Sequence, residues 1–430
     1  DLITSNKEKT MNGTERVRNA ILGLPIDRQP IYGWVAWNLR DQFAATWGSP
    51  EAFEDHYEFD AAHIFGHPCP FDKALVERLR AENDELTPDL LIEEAFHVSP
   101  KKGDYTALRA SFDYHKSKGR FCYVQTPGFF EFFNDVFGIQ NQLMYLLLYP
   151  EELGELYRRQ ADWIIEFADI CIDMGMDCIH ISDDWGTQRD LMFAPDLWRE
   201  LIKPNLKRVI DYVHARGAFV SLHSDGCIEK VTDDLAEIGI DMVHPWQESA
   251  GMSYDTYIEK YADKFAILGG LCVQSAVGIL PQAELLAEIR RVFAKMRGRH
   301  WICCTTHFVQ SHCKMEDLNA AYDLVYELAR REKEAKKKQK VIEVKEVRLT
   351  PNIEDNDLNT KANAARKFIE KGDKVKVTLR FRGREMSHMA TSKVVLDAFA
   401  EKLSDIAVVE KAAKLEGRSM MMFLAAKNNK

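Results

Sequence analysis

The 430-residue chain predicts an α/β protein: a (β/α)8 TIM barrel over residues 1–330, a lysine-rich helical linker over 331–340, and a small basic β-α-β-α-β-β domain, an α/β sandwich, over 341–430. Three observations predict it. Eight short apolar or β-branched runs alternate with amphipathic stretches up to about residue 307. Composition and charge change together near residue 330. A second, shorter alternation of strand and helix patterns follows that point.

The eight runs are Ile31–Trp37, Ala61–Gly66, Phe121–Thr126, Cys178–Ser182, Ala218–His223, Met242–Trp246, Phe265–Gly269 and Trp301–Thr306. The stretches between them carry helical spacing: Leu197, Leu201, Leu206, Val209 and Val213 in one, Leu285, Ile289, Val292 and Phe293 in another. Such alternation predicts a parallel sheet covered by helices, and eight units favour a closed barrel over an open doubly wound sheet, which is the alternative. No glycine-rich phosphate loop follows any run, so dinucleotide and P-loop chemistry have no support.

Residues 331–430 hold 24 Lys and Arg against 15 Asp and Glu, net +9, whereas residues 1–330 hold 33 against 52, net −19. All nine cysteines and all eight tryptophans lie in the acidic part. The acidic body has little reason to bind nucleic acid; the basic domain has the charge for a phosphate backbone. Scattered cysteines in odd number fit reduced thiols, and with no export signal or membrane-spanning run the expected location is cytoplasmic, away from any membrane.

In a barrel the active site forms at the C-terminal strand ends. Here the runs close on Ile181-Ser182-Asp183-Asp184-Trp185-Gly186-Thr187-Gln188, Leu222-His223-Ser224-Asp225-Gly226, Val243-His244-Pro245-Trp246-Gln247 and Cys304-Thr305-Thr306-His307. Asp183 and Asp184 fit equally a helix cap or acid–base work. His180 and His244 read as structural, and adjacent Cys303 and Cys304 as packing. His223 and Asp225, two apart on one strand face, suit a shared cation.

The run from Asp183-Asp184-Trp185-Gly186 through Pro195 to Lys203-Pro204, then His223-Ser224-Asp225-Gly226, late His307, and Met315-Glu316-Asp317-Leu318, together with the opening Met11-Asn12-Gly13-Thr14-Glu15-Arg16-Val17, resembles the uroporphyrinogen decarboxylase superfamily. The resemblance implies a (β/α)8 barrel and one of two chemistries: cofactor-free decarboxylation, or zinc-dependent methyl transfer with a corrinoid protein. The decarboxylases' Arg-Gln-Ala-Gly-Arg signature is replaced by Gly33-Trp34-Val35-Ala36-Trp37-Asn38-Leu39-Arg40, which offers one guanidinium to a polycarboxylate. The family's aspartate after the second strand gives way to His67. The departures favour the methyltransferase branch. The resemblance then implies zinc on His223, Asp225 and His307, with Asp183, Asp184 and His307 as catalytic residues. Trp34, Trp37, His67 and Gln188 are expected at the substrate pocket; the aromatic residues Trp34, Trp37, Phe129, Phe130 and Trp185 fit either the walls of an apolar pocket for a methoxylated aromatic or methylamine-like substrate or plain barrel core. A small-molecule methyl donor and a separate corrinoid protein are the expected partners; a cofactor-independent decarboxylase acting on a smaller acid is the alternative.

Beyond residue 330, Arg330-Arg331-Glu332-Lys333-Glu334-Ala335-Lys336-Lys337-Lys338 continues the barrel's last helix, Glu316–Leu328. Strands are expected at Val341–Leu349, Val375–Phe381, Ile406–Glu410 and Met420–Ala425, and helices at Leu358–Glu370 and Ser392–Leu403. The run Lys374-Val375-Lys376-Val377-Thr378-Leu379-Arg380-Phe381-Arg382-Gly383-Arg384-Glu385-Met386, with Leu415-Glu416-Gly417-Arg418 after it, resembles the C-terminal domain of bacterial translation initiation factor three. That resemblance implies binding to small ribosomal subunit RNA through Arg380, Arg382, Arg384 and Arg418, with Lys367 where the family often has arginine. Independently, Arg380, Arg382 and Arg384 alternate along a strand and its extension, so they leave one face as a row suited to phosphates; a solvated edge strand is the other reading. The whole is expected to be a fusion of two functions. The alternative is an artificial or misassembled chimera whose coherent function is translation initiation.

Overall fold

The computed structural model describes residues 11–338, 344–381, 389–416 and 419–427, which fall into two compact units, residues 1–333 and 334–430.

The first unit is built on seven parallel strands in sequential order: β1 (Ala61–Ile64), β2 (Phe121–Pro127), β3 (Cys178–Ser182), β4 (Phe219–His223), β5 (Met242–His244), β6 (Ala266–Leu271) and β7 (Trp301–Thr305). Unbroken parallel order with helices between strands is what the strand–helix alternation demands. The strands are buried on both faces, hence their continuous apolar runs rather than alternation.

The predicted first strand, Ile31–Trp37, is not a regular strand. Only Ile31 bridges to Cys303 of β7. Two backbone bonds, Tyr32 N–H to the Cys303 carbonyl (2.8 Å) and Cys303 N–H to the Pro30 carbonyl (3.0 Å), hold it there. On the other side the Asp60 amide donates to the Ile31 carbonyl (2.9 Å), and the Asp60 carboxylate accepts from the Ile31 amide (2.8 Å). Asp60 is buried and also paired with Arg16 and Arg28, so a side chain takes the place of a ladder partner. The segment closes the gap between β7 and β1 while leaving Trp34 free to turn inward. The amide of Trp34 donates to the Thr305 hydroxyl at 2.9 Å.

The helices follow their local signals. Asn12 and Glu15 form a reciprocal capping box at Gly13–Ile21. Pro150 opens the long helix Pro150–Met174, which ends on Gly175 in the left-handed region. No helix among the described residues is long and apolar enough to cross a membrane.

The second unit is a four-stranded mixed sheet: β8 (Val344–Leu349), β9 (Lys374–Arg380), β10 (Ala407–Glu416) and β11 (Ser419–Ala426), in the order β10-β11-β9-β8. β8 runs parallel to β9, and the other two pairings are antiparallel. Helices Asp355–Glu370 and Met389–Glu401 lie on one side, where Leu358, Ile369, Leu396 and Phe399 pack against Val347, Val377, Leu379, Met422 and Leu424. The third expected strand is longer than its apolar run, because Lys411 and Lys414 continue the hairpin with β11 across a bulge.

Candidate functional site

β4 ends on His223, and the sheet register sets it between Ser182 of β3 and His244 of β5. Asp225 follows by two residues, and His307 lies two beyond the end of β7. One donor atom from each of His223, Asp225 and His307 lies within 4.8 Å of the other two. Asp184 joins them: its Oδ1 is 3.7 Å from His223 Nε2, and Asp225 Oδ1 is 3.9 Å from the same nitrogen.

The loops after β3 and β4 are tied together. Asp184 accepts from the Asp225 amide (2.8 Å), the Thr187 carbonyl from the Cys227 amide (2.8 Å), and the Ser224 hydroxyl oxygen from the Trp185 amide (3.0 Å). This approach requires glycine. A Cβ on Gly226, whose φ is +80°, would lie 2.4 Å from the Thr187 carbonyl oxygen, and one on Gly186 2.5 Å from that of Asp225.

A histidine relay sets the tautomer of His223. The Thr305 carbonyl can only accept, so His244 Nε2, 3.0 Å away, carries the proton. His244 Nδ1 then has a lone pair facing His223 Nδ1 at 2.8 Å, and the latter must donate. His223 Nε2 is left as a bare lone pair directed at the two aspartates. Burial pushes the His223 imidazole down to about 3 and holds that of His244 well below its ordinary value, so both rings stay neutral.

The carboxyls move the opposite way. Burial, then Asp184, raises Asp225 to about 7; burial raises Asp184; burial, then Asp184 and Asp183, raises Glu131 to about 8. Neutral imidazoles beside carboxylates that ionise only with help are a donor set suited to a divalent cation. His180, His223 and His244 form a second group of similar spacing. There the Nδ1 atoms of His223 and His244 are spent on each other, and His180 Nδ1 sits 2.6 Å from the Ser221 hydroxyl. The His223–Asp225–His307 set is therefore the one with open donors.

Asp183 turns away from this cluster. It is fully buried, raised to about 6 by burial, and accepts from the Glu131 amide at 2.7 Å, anchoring the segment after β2. Glu131 accepts from the Ser182 hydroxyl at 3.2 Å. It faces a cavity of about 600 Å3 that also takes in His67, Gln125, Phe132 and Asp135. Trp34 donates from its indole to the Tyr123 hydroxyl (2.7 Å) and packs against His63, His223 and His244 with ring centroids 4.7, 5.3 and 4.3 Å away. Trp37 is 54% exposed and stacks on Phe308. Trp34, Trp37, His63, Phe65, Phe308 and Arg40 line a second pocket of about 170 Å3. Gln188 is exposed on the loop after β3, and no contact among the described residues ties it to the cluster. Phe129, Phe130 and Trp185 are fully buried: they are core, not pocket walls.

Glu131 and His244 went unrecognised as site residues in the sequence. Glu131 had a signal, a lone carboxylate inside Phe129-Phe130-Glu131-Phe132-Phe133. His244 had none beyond its strand end. In the second unit Arg380 is exposed at the end of β9 and Lys367 is exposed on helix Asp355–Glu370, while Arg382, Arg384 and Arg418 lie outside the described residues.

Residues 342–427 match the family model described as translation initiation factor IF-3, C-terminal domain. Translation initiation factor IF-3 of Clostridium tetani is 55% identical over 155 residues, covering 35% of this chain and 82% of that protein. The chain belongs to the translation initiation factor IF-3 family. IF-3 of Clostridium perfringens is 54% identical over 115 residues, 27% of this chain, and of that relative the chain spans 63%. The IF-3 family-model match lies in the second unit. Residues 134–328 of the barrel match the family model described as uroporphyrinogen decarboxylase (URO-D). A methyltransferase from Methanosarcina mazei has the same fold, with a TM-score of 0.56 and 16% identity over 74% of this chain and 99% of that one. The IF-3 family member described here thus joins a URO-D-type barrel to an IF-3 C-terminal domain.

Proposed function

We propose that the barrel is a zinc-dependent methyltransferase that exchanges a methyl group between a small donor molecule and a corrinoid carried by a separate protein. The observation that carries this is the convergence of His223, Asp225 and His307 within 4.8 Å, with the Nε2 lone pair of His223 directed into the cluster by His244. Those three residues, with Asp184 beside them, would hold zinc, which when bound supplies Lewis acidity to the heteroatom bearing the methyl group. The URO-D match and the fold shared with a methyltransferase support the assignment.

The chain's own groups do the rest. The cavity beside Ser182 and Glu131 admits the donor. Glu131 keeps its proton near neutral pH and is placed to donate it to the heteroatom, which retains the electron pair of the broken bond when the methyl carbon leaves. Trp34 seals the lumen beneath the histidines, excluding water from the transfer.

The C-terminal unit is proposed to bind small ribosomal subunit RNA, with Lys367, Arg380, Arg382, Arg384 and Arg418 on phosphates; the 342–427 match supports it. Methyl transfer is tested by following the corrinoid spectrum with a panel of methylated oxygen, sulfur and nitrogen donors. Turnover lost in His223→Ala supports the proposal. Carbon dioxide release from a carboxylic acid, insensitive to chelators, would favour the decarboxylase instead.

A further inference from the structure

The four-stranded sheet of the second unit has one face under its two helices and one face that no helix among the described residues covers. Sheet alternation puts Lys374, Lys376, Thr378 and Arg380 of β9 on the open face, because Val375, Val377 and Leu379 point into the core. The register adds neighbours. Phe423 of β11 pairs with Lys376 on one side and with Lys411 of β10 on the other, and Met421 pairs with Thr378 and with Lys414. Arg348 of β8 lies opposite Thr378.

This composition is unusual for a solvent face. A half-buried phenylalanine sits in the middle of it, flanked across both neighbouring strands by lysines. The Lys411 ammonium lies over the ring, 5.3 Å from its centroid. The cations outnumber the carboxylates, Glu346 and Glu410, whose partners are Arg348 and Lys374. An aromatic ring ringed by cations spaced at strand intervals offers two things at once: a surface for one unpaired base and charges for the phosphates on either side of it. A duplex cannot use the ring, since its bases are already stacked.

We propose that this helix-free face binds single-stranded RNA, with one base stacked on Phe423 and the flanking phosphates held by Lys376, Lys411 and Lys414. The proposal rests on the RNA-binding reading of this unit and deepens it: the face that carries Arg380 takes an unpaired strand, with Phe423 as the stacking platform. Lys411 occupies the ring in the absence of RNA, and it moves from ring to phosphate when a base arrives.

The test uses the full chain and fluorescein-labelled ten-nucleotide RNA, single-stranded or as a blunt duplex, read by anisotropy at fixed salt. Phe423→Leu retains apolar packing but removes the aromatic ring. It is expected to weaken single-strand binding about 5- to 150-fold, the worth of one stacked base, and to leave duplex binding unchanged. A 2-aminopurine placed in the strand should be quenched by wild type and not by the variant. Arg380→Ala is the control for the phosphate contacts and should weaken both ligands. If Arg380→Ala weakens both but Phe423→Leu binds the single strand like wild type, RNA binding stands and the stacking face is refuted. If wild type binds neither ligand, or polyglutamate displaces RNA from Phe423→Leu and wild type alike, both the face and the RNA reading fail.

Discussion

His223 and His244 face each other Nδ1 to Nδ1 at 2.8 Å. Two imidazoles can share that line only if one carries its proton there and the other does not. The Thr305 carbonyl decides which, by fixing the proton of His244 on Nε2. The consequence is reached at the far side of His223, where the free Nε2 is presented to Asp184 and Asp225.

Replacing His244 should therefore weaken metal binding without touching a ligand. His244→Phe keeps the bulk and removes the acceptor, so His223 can take either tautomer. Zinc affinity measured by competition with a chelating dye should fall about 10- to 100-fold, as for other partners that orient a ligand. An unchanged affinity would show that the relay does not set the tautomer.

The pH dependence of stability carries the signature of the same cluster. Asp225 and Glu131 have folded values of about 7 and 8, above their unfolded ones. Between about pH 6.5 and 8 the folded metal-free protein holds protons that the unfolded chain has released, and its stability falls as pH rises. The buried histidines, His223 among them, act below their unfolded value of about 6.5. They must charge on unfolding, so they remove stability as pH falls. Urea unfolding of metal-free protein should show a maximum near pH 6.5, and saturating zinc should abolish the alkaline decline by keeping the carboxylates ionised. A metal-free protein whose stability is flat from pH 6.5 to 8 would contradict this.

The backbone contact between the β3 and β4 loops makes a separate prediction. Gly226→Ala meets the Thr187 carbonyl and needs a left-handed backbone. It should cost about 1–3 kcal/mol in chemical denaturation and displace Asp225 from Asp184, lowering zinc affinity too. Full stability with full affinity would mean the loops have room the geometry denies them.

Part of this arrangement is legible in the amino-acid sequence. His223 and Asp225 at spacing two share a strand face and end on the rim; His307 enters through the family resemblance, and the structure brings a donor atom of each of the three within 4.8 Å of the other two. What could not be read depends on contacts between distant segments. Ile31–Trp37 has a strand's composition, but the buried Asp60 side chain supplies the partner that a regular ladder would. Glu131 is a site residue only because Asp183 captures its amide. His244 differs from a core histidine solely by what lies at its two nitrogens.

For the second unit, Arg380→Ala should lower the salt dependence of RNA binding, reducing the slope of log affinity against log salt by about one, as expected for one lost phosphate contact. Filter binding across a salt series checks it, and an unchanged slope would remove Arg380 from the RNA.

The central claim is that His223, Asp225 and His307 form a metal centre. Elemental mass spectrometry of purified wild type beside His223→Ala, each loaded with zinc and desalted, tests it most directly. One zinc per chain in wild type and none in the variant is the predicted result. No zinc in either, or equal zinc in both, would contradict it.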